Sequence, residues 1–233
     1  MITPRTVKQC GQADYGWLKA RYTFSFGHYF DPKLLRYASL RALNQEVLAP
    51  GASFQPRTYP KVDILNLVLD GEAEYRNSDG DHIQARAGEA VLIATREGVS
   101  YCEQNISKDR ELTRLQLWLD ACPDRENPPV QKILLSEGCH QLLASPDGEA
   151  DSLILRQQVW IHHIELNQGE QMRFHLHGPR AYLQSIHGSV HATAQSAQKT
   201  ALTCGDGAFI SDEANITLVA DSPLRALLID LPV

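Results

Sequence analysis

An all-β fold made of two tandem barrels is predicted for this 233-residue chain on three observations. Short aliphatic or β-branched runs end again and again in a Gly or Asn/Asp turn; almost no long segment carries a 3.6-residue apolar period; and the run-and-turn order occurs twice. In the first repeat Ile64 to Leu69 runs into Asp70-Gly71, Glu72 to Tyr75 into Asn77 to Gly80, and His82 to Ala85 into Ala87-Gly88, before Ala90 to Ile93. Each Gly can supply the positive φ that a tight hairpin requires. In the second repeat Ala181 to Ile186 leads into His187-Gly188, then Ser189 to Ala192, a polar turn around Gln195 to Lys199, and Cys204 to Gly207 before Ala208 to Ile210.

Between the repeats, Cys122-Pro123-Asp124-Arg125-Glu126-Asn127-Pro128-Pro129 reads as an exposed connector after the strand Leu115 to Leu119. The division is therefore placed at residue 130, with one barrel over 1–130 and a second over 131–233. A ligand is expected inside a barrel mouth.

Composition narrows the function classes. A content of 43% apolar residues suits a soluble globular chain, and no apolar run is long enough to span a bilayer. The start Met1-Ile2-Thr3-Pro4-Arg5 lacks the apolar stretch of a secretory signal, so a cytoplasmic location is expected. A net charge of -6 without a Lys/Arg block gives no footprint for phosphate backbones, and nucleic-acid partners are not expected. The partner is an unspecified small molecule or protein, and a monomer is the expected state.

The five cysteines, Cys10, Cys102, Cys122, Cys139 and Cys204, lack Cys-x-x-Cys spacing and are odd in number, which fits neither a zinc site nor a disulfide framework. Free thiols are expected in a reducing compartment. Cys122 leads the redox candidates because it opens the connector; Cys204, at a Gly-rich turn, and Cys10, near Lys8, follow. Cys102 alternates with Glu103 and is expected in the core.

One set of segments carries a family resemblance. Tyr22-Thr23-Phe24-Ser25-Phe26-Gly27-His28-Tyr29-Phe30-Asp31-Pro32, then Leu40-Arg41-Ala42-Leu43-Asn44 and Asp63 to Gly71, resemble the pirin family of bicupins, most strongly from about residue 15 to 120. The resemblance implies two cupin barrels and, in many members, iron or another divalent metal in the first; several members oxidise flavonols such as quercetin.

The family's first-barrel ligands are a His-x-His pair and a later His and Glu two residues apart. Carried onto this chain, they fall on Arg57, Tyr59, Tyr101 and Glu103. Only Glu103 is a competent ligand: a guanidinium offers donors alone, and a phenol with pKa near 10 is a poor divalent-metal ligand. No bound metal or other cofactor is expected there, nor dioxygenase chemistry by the family's route. Arg57 is placed either in the metal's electrostatic position, pairing with Glu103, or pointing outward into solvent as arginines mostly do.

The second repeat has His175 and His177 spaced to share a strand face, but the later strand offers no further ligands, and two ligands bind weakly. The adjacent His162 and His163 point to opposite faces of a strand and are expected to pack or face solvent. His28 is assigned to packing among Phe24, Phe26, Tyr29 and Phe30. Neither a nucleophile elbow, a phosphate-binding loop nor a His-Glu-x-x-His helix is present in the sequence.

Two function classes follow. The first is a non-enzymatic bicupin that binds a partner or small molecule, or responds to oxidants through surface thiols. The alternative is an enzyme: a weak dioxygenase of the quercetin type on a degenerate site, or a metal-free isomerase using Tyr59, Tyr101 and Glu103.

Overall fold

In the computed structural model, residues 1–138, 140–195 and 199–232 are described. Strands dominate: β1 (Ile2–Arg5), β2 (Gly11–Asp14), β3 (Leu18–Tyr22), β4 (Leu40–Leu48), β5 (Arg57–Thr58), β6 (Val62–Asp70), β7 (Glu72–Asn77), β8 (His82–Arg86), β9 (Glu89–Ala94), β10 (Ser100–Asn105), β11 (Leu112–Asp120) and β12 (Val130–Leu134). They continue as β13 (Gln141–Ser145), β14 (Leu153–Ile154), β15 (Trp160–Leu166), β16 (Gln171–His175), β17 (Arg180–His187), β18 (Val190–Ala194), β19 (Lys199–Leu202), β20 (Gly207–Ser211), β21 (Asn215–Ala220) and β22 (Leu224–Asp230). Among the described residues helix is confined to single 3₁₀ turns at Val7–Gln9 and Glu149–Asp151. Among the described residues no helix is long and apolar enough to cross a membrane.

The chain forms two compact units, and they do not follow a single cut at residue 130. One unit comprises Gly11–Leu134 with Leu153–Gln157; the other comprises Met1–Cys10, Leu135–Ser152 and Gln158–Val233. Two interactions account for the exchange of segments. β1 lies antiparallel on β20, with Ile2 opposite Ile210, and its amino terminus bonds Ser211 and Glu213. The Leu153–Gln157 segment is tied to the first unit by Arg156, whose backbone N–H and Nε both donate to Asp63, while its Nη atoms donate to the carbonyls of Thr95 and Val62. Sequence periodicity carries no trace of that contact across 93 residues.

Each unit has a larger and a smaller antiparallel sheet, the jelly-roll arrangement of a cupin rather than one ring of strands. In the first unit the order is β12-β9-β6-β11-β4-β3-β2 and β5-β10-β7-β8. In the second it is β1-β20-β17-β22-β15-β13 and β16-β21-β18-β19. Strand β6 is buried along Val62 to Val68, as expected for a run without polar alternation at a sheet centre. Its turn into β7 needs Gly71: φ is 84°, and a Cβ there would stand 2.4 Å from the Glu111 carbonyl oxygen.

The first-unit core gathers Leu48, Val62, Val68, Val91, Leu112 and Tyr101, among others. The second gathers Ile164, Phe174, Leu183, Ile210, Ile216 and Leu228 among its members. Every fully buried Leu or Ile of this kind contributes roughly 1.5–3 kcal/mol.

Candidate functional site

In β11, the nine-residue strand Leu112–Asp120, Arg114, Gln116 and Trp118 alternate onto one face. Register sets Arg114 directly opposite Glu46 of β4. From the smaller sheet, β10 presents Tyr101 and Glu103, with Tyr101 opposite Arg57 of β5. These side chains, with Phe26, Phe54, Tyr59, Tyr75 and Trp118, line one cavity of about 70 Å³. All four positions carried over from the family are thus brought together.

Their partners differ from expectation in one respect. Glu103 pairs with Arg114, not Arg57: Arg114 Nε donates to Glu103 Oε1 at 2.5 Å and Nη2 to Oε2 at 2.6 Å. The same Nη2 stands 2.9 Å from Glu46 Oε2. All three side chains are buried. Arg57 is exposed, its guanidinium carbon 5.5 Å from the Phe54 ring centroid. Of the two placements open to Arg57 the outward one holds, because β5 is a two-residue strand with both residues exposed, whereas Arg114 rises from a buried central strand.

Electrostatics follow from that burial. Desolvation raises the Glu46 pKa, with Arg114 acting against it and Glu103 adding to it. Burial opposes charge on Arg114, but Glu103 and Glu46 outweigh it and hold the guanidinium protonated. Burial also raises the phenols of Tyr59, Tyr75 and Tyr101, and it pushes Tyr22 up to about 12 with Glu46 and Tyr15 assisting. All four are neutral at physiological pH. The Tyr101 hydroxyl donates to the Ala94 carbonyl at 2.9 Å, and the Tyr59 ring packs edge-on against Tyr101 and Trp118.

This donor set does not fit a divalent cation. Both Glu103 oxygens are occupied by a guanidinium, the phenols are held protonated, and Arg57 brings positive charge.

In the second unit His175 and His177 turn to different partners. His175 Nδ1 stands 3.4 Å from Asn215 Oδ1, whereas His177 bonds Asp230 Oδ2 at 2.8 Å through Nδ1 and stacks on Trp160 at 3.8 Å. Among the described residues no group of three or more His, Cys, Asp or Glu could hold a metal ion. His162 pairs with His140 at 2.8 Å, and burial, then His140 and His177, pushes it down to about 4. His163 is fully buried and accepts from Arg225 Nε at 2.9 Å. His28 is exposed beside Tyr15, outside the aromatic packing assigned to it.

Among the thiols, Cys204 is exposed, and Cys10, Cys102 and Cys122 are half-buried. Cys102 is therefore not a core residue; it sits opposite Arg76 in the β7–β10 register. Cys10 and Cys204 Sγ point to the carbonyls of Thr6 and Ile186. The Cys122 backbone N–H donates to the Arg156 carbonyl at 2.8 Å. Cys139 lies outside the described residues.

Sequence reasoning missed Arg114 and Glu46. The available signal was a charge at an inward position of each of two apolar strands, Leu112–Asp120 and Leu40–Leu48.

Residues 3–119 match the family profile described as Pirin, and residues 142–231 match one described as a quercetinase C-terminal cupin domain. The chain is 75% identical, over 100% of both sequences, to the pirin-like protein YhaK of Escherichia coli strain K12. The chain belongs to the pirin family. Within that family it is also 31% identical to the quercetin 2,3-dioxygenase of the same strain, over 100% of this chain and 99% of that protein. Among solved structures, E. coli YhaK aligns with a TM-score of 0.83 at 72% identity, covering 97% of this chain and 99% of that one. The bacterial pirin YhhW of E. coli, solved in complex with nickel(II), aligns with a TM-score of 0.92 at 30% identity over 100% and 99% of the two chains. Pirin-family membership and the bicupin architecture agree with the sequence analysis.

Proposed function

We propose that this pirin-family bicupin works in the cytosol without a bound cation, as a small-molecule or partner-binding protein rather than a flavonol dioxygenase. One observation carries the proposal: Arg114 occupies both oxygens of Glu103, the single competent ligand among the four carried-over positions. A buried carboxylate so gripped gives up two charge-assisted bonds before it can reach a metal. The 31%-identical relative is named a quercetin dioxygenase and the 30%-identical bacterial pirin binds nickel(II), so the same fold serves as a direct control.

The isomerase alternative is disfavoured on the same geometry. Tyr101 is committed to the Ala94 carbonyl and Glu103 to Arg114, which takes two of the three groups that reading uses out of free proton transfer.

The test is elemental analysis of protein purified without chelator, with quercetin-dependent oxygen uptake measured beside the nickel-binding relative. Metal well below one equivalent and no uptake are expected. Stoichiometric iron or nickel with turnover would overturn the proposal.

A second reading rests on thiol exposure. Cys204 is open to solvent and Cys122 and Cys10 are partly so, which admits a response to peroxide. There the thiolate loses two electrons to the peroxide O–O bond, giving a sulfenic acid and releasing hydroxide. Mass spectrometry after mild peroxide on wild type and Cys122→Ser reads it directly: one added oxygen at Cys122, absent in the variant, is expected, and an unmodified Cys122 with the other thiols also unmodified would end that reading.

A further inference from the structure

The cavity lined by Glu103, Tyr59 and Trp118 has a floor whose polar groups are already engaged within the protein. Arg114, 1% exposed, spends Nε and Nη2 on Glu103 and Glu46, and its Nη1 is itself buried. Trp118 Nε1 donates to Gln116 Oε1 and Gln116 Nε2 to Asn66 Oδ1, each at 2.8 Å, while the Tyr101 hydroxyl donates to the Ala94 carbonyl. An ionised ligand resting on that floor would leave water without gaining a partner, which is costly.

The walls above the floor are aromatic. Phe26, Phe54, Tyr59 and Trp118 line the cavity and are half-buried, so each keeps some ring surface accessible. Trp118 already meets Phe26 and Tyr59 edge-on, with centroids 5.1 and 5.3 Å away and planes crossing at 88° and 74°. A further ring would extend this edge-to-face set, an arrangement that aromatic quadrupoles favour. Arg57 is exposed and holds its guanidinium carbon 5.5 Å from the Phe54 centroid, which puts the charge at the rim and not on the floor.

We infer that this cavity binds a small neutral aromatic molecule, a single uncharged ring held against Phe54, Tyr59 and Trp118 above the closed Arg114–Glu103 floor. Size sets the limit at one ring. The volume is about 70 Å³, whereas an apolar cavity of roughly 150 Å³ takes a whole benzene and pockets for drug-sized ligands start at roughly 300 Å³. The ring is therefore only part enclosed, and a small neutral substituent on it points past Arg57 to solvent. The inference rests on the cation-free reading of this site, because a metal on Glu103 would break up the floor and offer an ionised ligand a partner.

The experiment is isothermal titration of the full-length protein with phenol, which is uncharged at pH 7. Benzoate, which carries a charge on the ring, and cyclohexanol, which keeps the hydroxyl without the aromatic ring, are titrated beside it. Elemental analysis is run on the same sample. Saturable one-to-one phenol binding is expected, with benzoate and cyclohexanol each at least about threefold weaker. Phe54→Leu keeps an apolar side chain and removes one aromatic face, so its affinity for phenol is expected to fall about threefold to tenfold. Circular dichroism checks that the variant is folded, and Tyr59→Leu takes its place if it is not. Benzoate or cyclohexanol binding as tightly as phenol, or phenol binding unchanged in the folded variant, would each overturn the inference. Metal-free protein that ignores phenol ends this inference alone; stoichiometric metal ends the cation-free reading with it.

Discussion

Arg114 and Glu103 meet through two near-parallel N–H to oxygen bonds of 2.5 and 2.6 Å, both side chains buried inside the first cupin unit. A pair of this kind gains little over well-packed apolar residues, but breaking it from one side leaves a charge stranded in a medium that cannot solvate it. Arg114→Met strands Glu103 beside Glu46. A loss of about 3–5 kcal/mol is expected in urea unfolding, with partial recovery in Arg114→Met/Glu103→Gln because the second change removes the stranded charge. A single variant within 1 kcal/mol of wild type would remove Arg114 from its central role.

Arg57→Ala is expected to behave oppositely. Its guanidinium is exposed and makes a cation–π approach to Phe54, so unfolding free energy should fall by under about 1 kcal/mol. The contrast between two arginines lining the same cavity is the informative quantity, and paired urea melts measure it.

Much of the fold was legible because each cue acts locally. The β6 run from Val62 to Val68 and the turn at Gly71 depend only on neighbours along the chain, and those are what a sequence displays. The site was legible only in part. Tyr59, Tyr101 and Glu103 do gather at one cavity, but the residue that pairs with Glu103, Arg114, sits eleven positions beyond it on a different sheet. The β10–β11 turn and the β4–β11 register bring it in, and the sequence marks only an inward charge at Arg114, not the partner that charge meets. The same reasoning applies to Arg156, which reaches Asp63 across 93 residues.

Gly71→Ala tests a local cue. With φ at 84° and the Glu111 carbonyl oxygen 2.4 Å from any added Cβ, both backbone strain and a clash with main chain oppose the methyl group. A loss of about 1–3 kcal/mol is expected in thermal or urea unfolding, whereas Gly80→Ala, with open space around it, should lose less.

His163 gives the second unit a pH dependence. Burial, then Arg225, pushes its pKa down to about 4, and its Nε2 accepts the Arg225 Nε proton, so the native ring is neutral. The unfolded ring titrates near 6.5, so the unfolded state binds the extra proton first as pH falls. Above 6.5 both states are neutral and nothing is lost; between 6.5 and 4 stability declines, by up to about 3 kcal/mol from this residue. In His163→Gln the Tm should fall less between pH 7 and 4.5 than in wild type. An identical slope would place the acid sensitivity elsewhere.

Restoring the family's imidazoles gives the strictest test of what sets metal affinity at this site. Arg57→His, Tyr59→His and Tyr101→His together recreate the carried-over ligand set beside Glu103, so a count of ligand types alone expects nickel binding in the triple variant. The geometry expects otherwise: while Arg114 holds both Glu103 oxygens, a cation must break two buried charge-assisted bonds and sit beside a guanidinium. Weak or undetectable nickel binding is therefore expected in the triple variant, with a gain of at least about tenfold when Arg114→Leu is added, since removing the guanidinium releases the carboxylate and deletes the repulsive charge. Titration calorimetry with nickel chloride on both variants distinguishes the cases. Tight binding in the triple variant would show that the missing imidazoles, and not the arginine, keep the cation out.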